Sequence, residues 1–163
     1  MKLLTTEIKN NVLAQMEAIL DKHREELLAA NKKDLDAFDR DDQALYDRLV
    51  VDDKKIDQMI QAVREVREQA DPVNQVISEK NLDNGLKVVN KTAPFGTIMI
   101  IYESRPDVTI EAAVLAFKAN NKILLKGGKE AYHSNKALVK FWHSALEAHD
   151  LSPDYIQFLE MDR

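Results

Sequence analysis

Two short runs carry the side chains best suited to chemistry in this sequence: Glu103-Ser104-Arg105 ahead of Pro106, and Lys126-Gly127-Gly128-Lys129-Glu130. A serine hydroxyl held at a turn can donate a hydrogen bond to developing negative charge, or simply cap the turn before the proline. An arginine fork takes a carboxylate or phosphate by two parallel bonds, or pins its turn through an ion pair. Two adjacent glycines open backbone conformations closed to other residues and let a ligand come close to the chain. A lysine at the end of a strand beside them is placed to reach a ribose or a phosphate. Free amides at the start of the following helix would favour a phosphate.

Such groups need strands and helices to hold them. Thr97 to Ile101 is a continuous apolar run of the kind a parallel sheet buried on both faces requires, and it feeds directly into Glu103, Ser104 and Arg105. Pro106 suits the start of a helix from about Asp107 to Ala119, with Val108, Ala112, Leu115 and Ala116 expected on its packed face. Asn120 and Asn121 end that helix, and Ile123 to Lys126 forms a second strand leading into the glycines. A helix from Ala131 to His149, with Leu138, Trp142 and Leu146 in register, precedes a third strand at Ile156 to Leu159. The order is βαβαβ, one half of a doubly wound sheet.

Residues 1–84 contain no glycine, which fits a helical beginning. Leu13, Met16, Leu20 and Leu27 mark one face of a long helix from about Thr6 to Ala30, and Leu35 with Phe38 suggests a short second one. Asp52 is a fitting cap for a third helix carrying Ile56, Met59, Ile60 and Val63. Val76-Ile77 and Leu86 to Val89 flank Asp83-Asn84-Gly85, the signature of a hairpin.

These residues resemble the gamma-glutamyl phosphate reductase (glutamate-5-semialdehyde dehydrogenase) family, a branch of the aldehyde dehydrogenase superfamily. The resemblance rests on PFGTIMIIYESRPDVTIEAA, ILLKGGKEAYHSN and YIQFLEMDR, and continues through EELLAANKKDL, LYDRLVVDDKKID and DPVNQVISEKNLDNGLKVVNK. It implies an α/β fold: a helical section at 1–70, a hairpin at 71–93 that pairs with another subunit, and part of a Rossmann-like NADP(H)-binding domain at 94–163. It further implies nucleotide contacts from Lys126, Gly127, Gly128 and Glu130, an oxyanion contact from Ser104, and binding of the substrate L-glutamyl 5-phosphate through Arg105. The family works through a cysteine nucleophile, and this chain has none. The expectation is therefore the amino-terminal portion of an NADPH-dependent reductase of proline biosynthesis, inactive alone. The alternative is a non-catalytic nucleotide-binding or assembly module, distinguished by weak NADP(H) binding without turnover.

A formal charge of −5 and a pI near 5.4 disfavour nucleic acid or an anionic membrane as the main partner. No apolar run approaches the roughly 20 residues needed to span a bilayer, so the cytoplasm is the expected setting, and the resemblance implies a homo-oligomer formed through the hairpin. His23, His133, His143 and His149 do not fall at the spacings of a metal pair, and no metal is expected. Neither a GxGxxG fingerprint nor a GxxxxGK[ST] loop is present, so a nucleoside triphosphate domain is disfavoured.

Overall fold

Thr5, Asp42 and Asp52 each begin a helix with their own side chains, accepting hydrogen bonds from the amides of Ile8, Leu45 and Lys55 respectively. The computed structural model describes residues 3–39 and 42–160. The first helices are α1 (Thr6–Lys22), α2 (Arg24–Ala37), α3 (Gln43–Leu49) and α4 (Asp53–Glu68). Leu13, Met16, Leu20 and Leu27 are all fully buried, as their spacing requires. The single long helix expected over Thr6 to Ala30 is instead two, because His23 leaves helical geometry at φ −107° and ψ 28°. Its ring packs 5.5 Å from that of Phe141, so the break lets α2 run against a later helix. Helix α3 has no counterpart in the sequence reading; with only Leu49 buried it is too short to show a period.

The hairpin pairs β1 (Val76–Asn81) with β2 (Lys87–Lys91) in antiparallel register, closed by Gly85 at φ 82°. Every residue of both strands is exposed, including Val76, Ile77, Val88 and Val89. Two strands that bury nothing are marginal by themselves.

Strands β3 (Thr97–Ile101), β4 (Lys122–Lys126) and β5 (Ile156–Phe158) form one parallel sheet in the order β3-β4-β5. Helices α5 (Pro106–Lys118) and α6 (Tyr132–Glu147) make the crossovers, giving the expected βαβαβ order. Asn121 and Asn120 end α5 and also tie it down, accepting from the amides of Gly96 and Leu4. The packed face of α5 is broader than the expected one: of the four residues named, Ala116 is buried and Ala112 packs partly buried on the core but Leu115 is 55% exposed, while Thr109, Ile110, Ala113, Val114 and Phe117 are buried as well. The helix lies between the sheet on one side and α1 and α4 on the other, so a single stripe of four residues could not describe it. One apolar cluster joins all these layers, with Val12 and Met16 of α1, Val63 of α4, Ile110 of α5, Ile123 of β4 and Trp142 of α6 among its members.

Among the described residues only one face of the sheet is covered, where the apolar run of β3 suggests burial on both, because both crossover helices lie on the same side. Ile123, Leu125 and Ile156 point into the core, while Met99 and Ile101 on the other face are 51% and 75% exposed. Among the described residues no helix is long and apolar enough to cross a membrane.

Candidate functional site

Strand β3 ends at Ile101 and β4 at Lys126, directly paired, so the turns that follow them emerge side by side at the carboxyl edge of the sheet. Such an edge is where open α/β sheets bind ligands. Ser104, from the first turn, donates to Glu130 Oε2, from the second, at 2.6 Å, and is itself 2% exposed. Gly128 lies against this pair: a Cβ there would meet Ser104 Oγ, would come within 2.8 Å of Glu130 Oε2 and would stand 3.2 Å from the Ser104 amide nitrogen. Ser104, Gly128 and Glu130 thus form one cluster. A cavity of about 540 Å³ opens beside it, lined also by Leu45, Arg48 and Tyr102.

Lys126 belongs to the same edge but to the other side of the sheet. The register groups it with Lys122 and Leu124 on the face the helices leave open, next to Ile101. Arg105 stands apart from the cluster. Its guanidinium is about half exposed and meets Asp107 Oδ2 at 3.0 Å, the ion-pair arrangement that pins a turn. That hydrogen bond, with the charge of Asp107, holds the guanidinium above its ordinary range. Exposed pairs of this kind contribute little, so Arg105→Ala should lower the unfolding free energy by less than about 1 kcal/mol in urea titration. A loss of several kcal/mol would assign Arg105 a larger structural role than an exposed ion pair carries.

The glycines do not do what their type suggests. Gly128 has φ −61° and ψ 148°, open to any residue, and the only positive-φ glycines are Gly85 and Gly96. Space, not backbone freedom, is the reason for glycine at 127 and 128. A Cβ on buried Gly127 would meet Asn135 Nδ2 and would lie 3.1 Å from the phenol carbon and oxygen of Tyr102. Those two side chains end a buried relay in which Tyr102 donates to Thr109 Oγ1 at 2.6 Å and Thr109 donates to Asn135 Oδ1 at 2.8 Å. Burial, only partly offset by the bond to Thr109, pushes the Tyr102 phenol up to about 12, so it stays a neutral donor.

The start of α6 also departs from expectation. A single 3₁₀ turn, Lys129–Ala131, precedes it, and its first amides are not free. Asp34 on α2 accepts from the amide of His133 at 2.9 Å, the amide of Ser134 at 2.8 Å and the Ser134 hydroxyl at 2.6 Å. Asn31, one turn earlier, donates to Ser134 Oγ and to the Leu49 carbonyl and accepts from the Val51 amide. Both residues were missed in the sequence, although a signal existed. The buried residues of α2 are Leu27, Asn31 and Asp34, so the apolar stripe continues into two polar side chains at helical spacing.

No protein-family model matches the chain. Among curated proteins, the gamma-glutamyl phosphate reductase of Aquifex aeolicus is 42% identical over 159 residues, which is 96% of this chain but 37% of that protein. Among solved structures, the gamma-glutamyl phosphate reductase of Thermotoga maritima superposes with a TM-score of 0.91 at 41% identity, over 96% of this chain and 38% of the other. The match falls on the amino-terminal part of these relatives, so the chain spans less than two fifths of their length. Succinic semialdehyde dehydrogenase of Streptococcus pyogenes, solved in complex with NADP+, shares the fold at 16% identity, with a TM-score of 0.73 over 99% of this chain and 32% of its own.

Proposed function

We propose that this chain is the amino-terminal portion of a gamma-glutamyl phosphate reductase, an NADPH-dependent enzyme that reduces L-glutamyl 5-phosphate to L-glutamate 5-semialdehyde in the cytoplasm. The observation that carries the reading is the match along 96% of the chain to proteins of that name, in sequence and in three dimensions. The cluster at the carboxyl edge of the sheet supports a nucleotide. Gly128 keeps clear the space beside Ser104 and Glu130 that any side chain would fill.

In this reading Lys126, Gly127, Gly128 and Glu130 hold the nucleotide, and the cationic Lys126 and Lys129 favour the phosphorylated form of its ribose. The bound nicotinamide would supply hydride. Ser104 already donates to a carboxylate oxygen, and exchanging Glu130 for the substrate's oxygen would turn that donor towards developing negative charge. Arg105, half exposed beside Asp107, would turn from that partner to the phosphate or carboxylate of the substrate. The thiol that would carry the acyl group has to come from other sequence, since this chain contains no cysteine. The exposed ribbon of β1 and β2, with Val76, Ile77 and Val88 open to solvent, would serve as the contact with a second subunit.

The test is reconstitution. This chain is co-expressed with the remaining carboxyl-terminal part of the Aquifex aeolicus relative, and phosphate-dependent reduction of NADP+ by glutamate 5-semialdehyde is followed at 340 nm. Turnover that needs both pieces is expected. Binding of NADPH by the assembled pieces without turnover would reduce the chain to a nucleotide-binding module, and absence of both would remove the reading.

A further inference from the structure

The start of α6 lies immediately after the glycine turn, so it is the natural seat for a ligand phosphate in this fold. Two backbone amides at a helix start, with a serine hydroxyl beside them, make a strong anion site. Here that site is filled from within. The carboxylate of Asp34 is 3% exposed and takes both amides and the hydroxyl, one oxygen bonding His133 and the other Ser134 twice. Ser134 is fully buried and receives the Asn31 amide on its own oxygen. No ligand can reach these amides without displacing a buried, charged, fully bonded side chain.

We propose that Asp34, which lies 100 residues from Ser134 in the chain, is the resident anion of α6 and a positioning residue of the turn that precedes it. It fixes where α6 begins and therefore where the turn from Gly127 to Ala131 must run. That turn brings Glu130 to Ser104. It also keeps a phosphate off the helix start, handing recognition of an anionic ligand to side chains of the turn. This last consequence rests on the nucleotide reading above; the anion role does not.

The experiment is anion rescue on the full 163-residue chain. Asp34→Ala empties the site while leaving its amides in place. Its thermal midpoint should fall by about 5–10 °C, the scale expected when three charge-assisted hydrogen bonds are exchanged for bonds to water in a domain of this size. Inorganic phosphate or formate, against chloride at equal ionic strength, should restore at least half of the loss, and phosphate should shift the His133 and Ser134 amide resonances in a saturable way. The wild-type chain and Asp34→Asn, whose site stays filled, should show neither response.

Three outcomes overturn the proposal: no loss in Asp34→Ala, a loss that no anion repairs, or equal stabilisation of the wild-type chain by phosphate. Should Asp34→Ala fail to fold in chloride, refolding is repeated in phosphate, where recovery supports the role and failure rejects it. None of these readouts involves nicotinamide or turnover, so they can fail while the reductase assay succeeds, and the reverse.

Discussion

Gly127→Ala should lower the free energy of unfolding by about 2–4 kcal/mol, more than any other alanine substitution in the glycine turn. One added methyl in a packed interior typically costs 1–3 kcal/mol, and here the neighbours have nowhere to go. The new Cβ would press on Asn135 Nδ2 and on the ring carbon and hydroxyl of Tyr102. Asn135 is fully buried on α6 and accepts from Thr109, which accepts from Tyr102. Moving either end of that relay therefore breaks a buried hydrogen bond, adding about 1 kcal/mol for each bond lost. Gly128→Ala supplies the contrast. Two of its three close neighbours are the ends of the Ser104 and Glu130 side chains, which can rotate away. It should cost less stability and act on the site instead, separating Ser104 from Glu130. Urea titration of both variants with unchanged m-value measures the difference. A Gly127→Ala variant as stable as the wild type would show that the turn simply shifts, and would remove the steric reason for glycine at this position.

The two glycines show where the sequence could and could not be read. Their type correctly marked the turn, but the physical reason was visible only in three dimensions, because Tyr102 and Asn135 approach Gly127 from different elements. The βαβαβ order was legible because parallel strands joined by crossover helices are short apolar runs, here punctuated by Pro106 and Gly127, even though one face of the sheet is open. Asp52 was legible because capping is a local interaction, complete within three residues. The face of α5 was not, since a helix packed between a sheet and two other helices is apolar over most of its circumference. Nor was the break at His23, which contains neither glycine nor proline and is set by packing on Phe141. At the site, Ser104 and Glu130 were named separately and are joined by the fold. The ion pair of Arg105 with Asp107 was one of two readings the sequence left open. Asp34 lay beyond reach, because a carboxylate on one helix capping another 100 residues later leaves no local pattern. What the sequence did offer was a polar pair in an apolar stripe, which predicts that partners exist without saying which.

Asp71→Ala should be the most destabilising substitution outside the core, at about 3–5 kcal/mol, the usual cost of stranding a buried charge. Lys9 is fully buried, and its ammonium meets Asp71 Oδ2 at 2.5 Å and donates to the Lys118 carbonyl at 3.0 Å. Lys118 is 2% exposed and bonds Asn10 and the Arg67 carbonyl, so one carboxylate serves a pocket holding two ammonium groups. Burial, with the charges of Lys9 and Arg67, lowers the Lys118 amine while the charge of Asp71 raises it, so removing Asp71 takes away the charge that favours the ammonium. Lys9→Met tests the explanation, because it removes the buried cation and keeps the packing. It should cost clearly less than Asp71→Ala. Equal losses would mean that packing, not charge, holds the junction. The pH dependence gives a second check. Burial alone would raise the Asp71 carboxyl, but hydrogen bonds from Lys9, the Val73 amide and Thr6 outweigh it and hold the group below its usual range. A depressed carboxyl stabilises the fold above the unfolded carboxyl range, near pH 4, and that stability is lost as pH falls through the folded value. The wild type should therefore lose stability on acidification more steeply than Asp71→Ala. Asp71 also lies between α4 and the hairpin, whose stem continues through Thr92 bonded to the Pro72 carbonyl and the Gln75 amide. Loosening this anchor should free the ribbon before it unfolds the core, so protease cleavage between 71 and 93 should rise in Asp71→Ala while α6 stays protected.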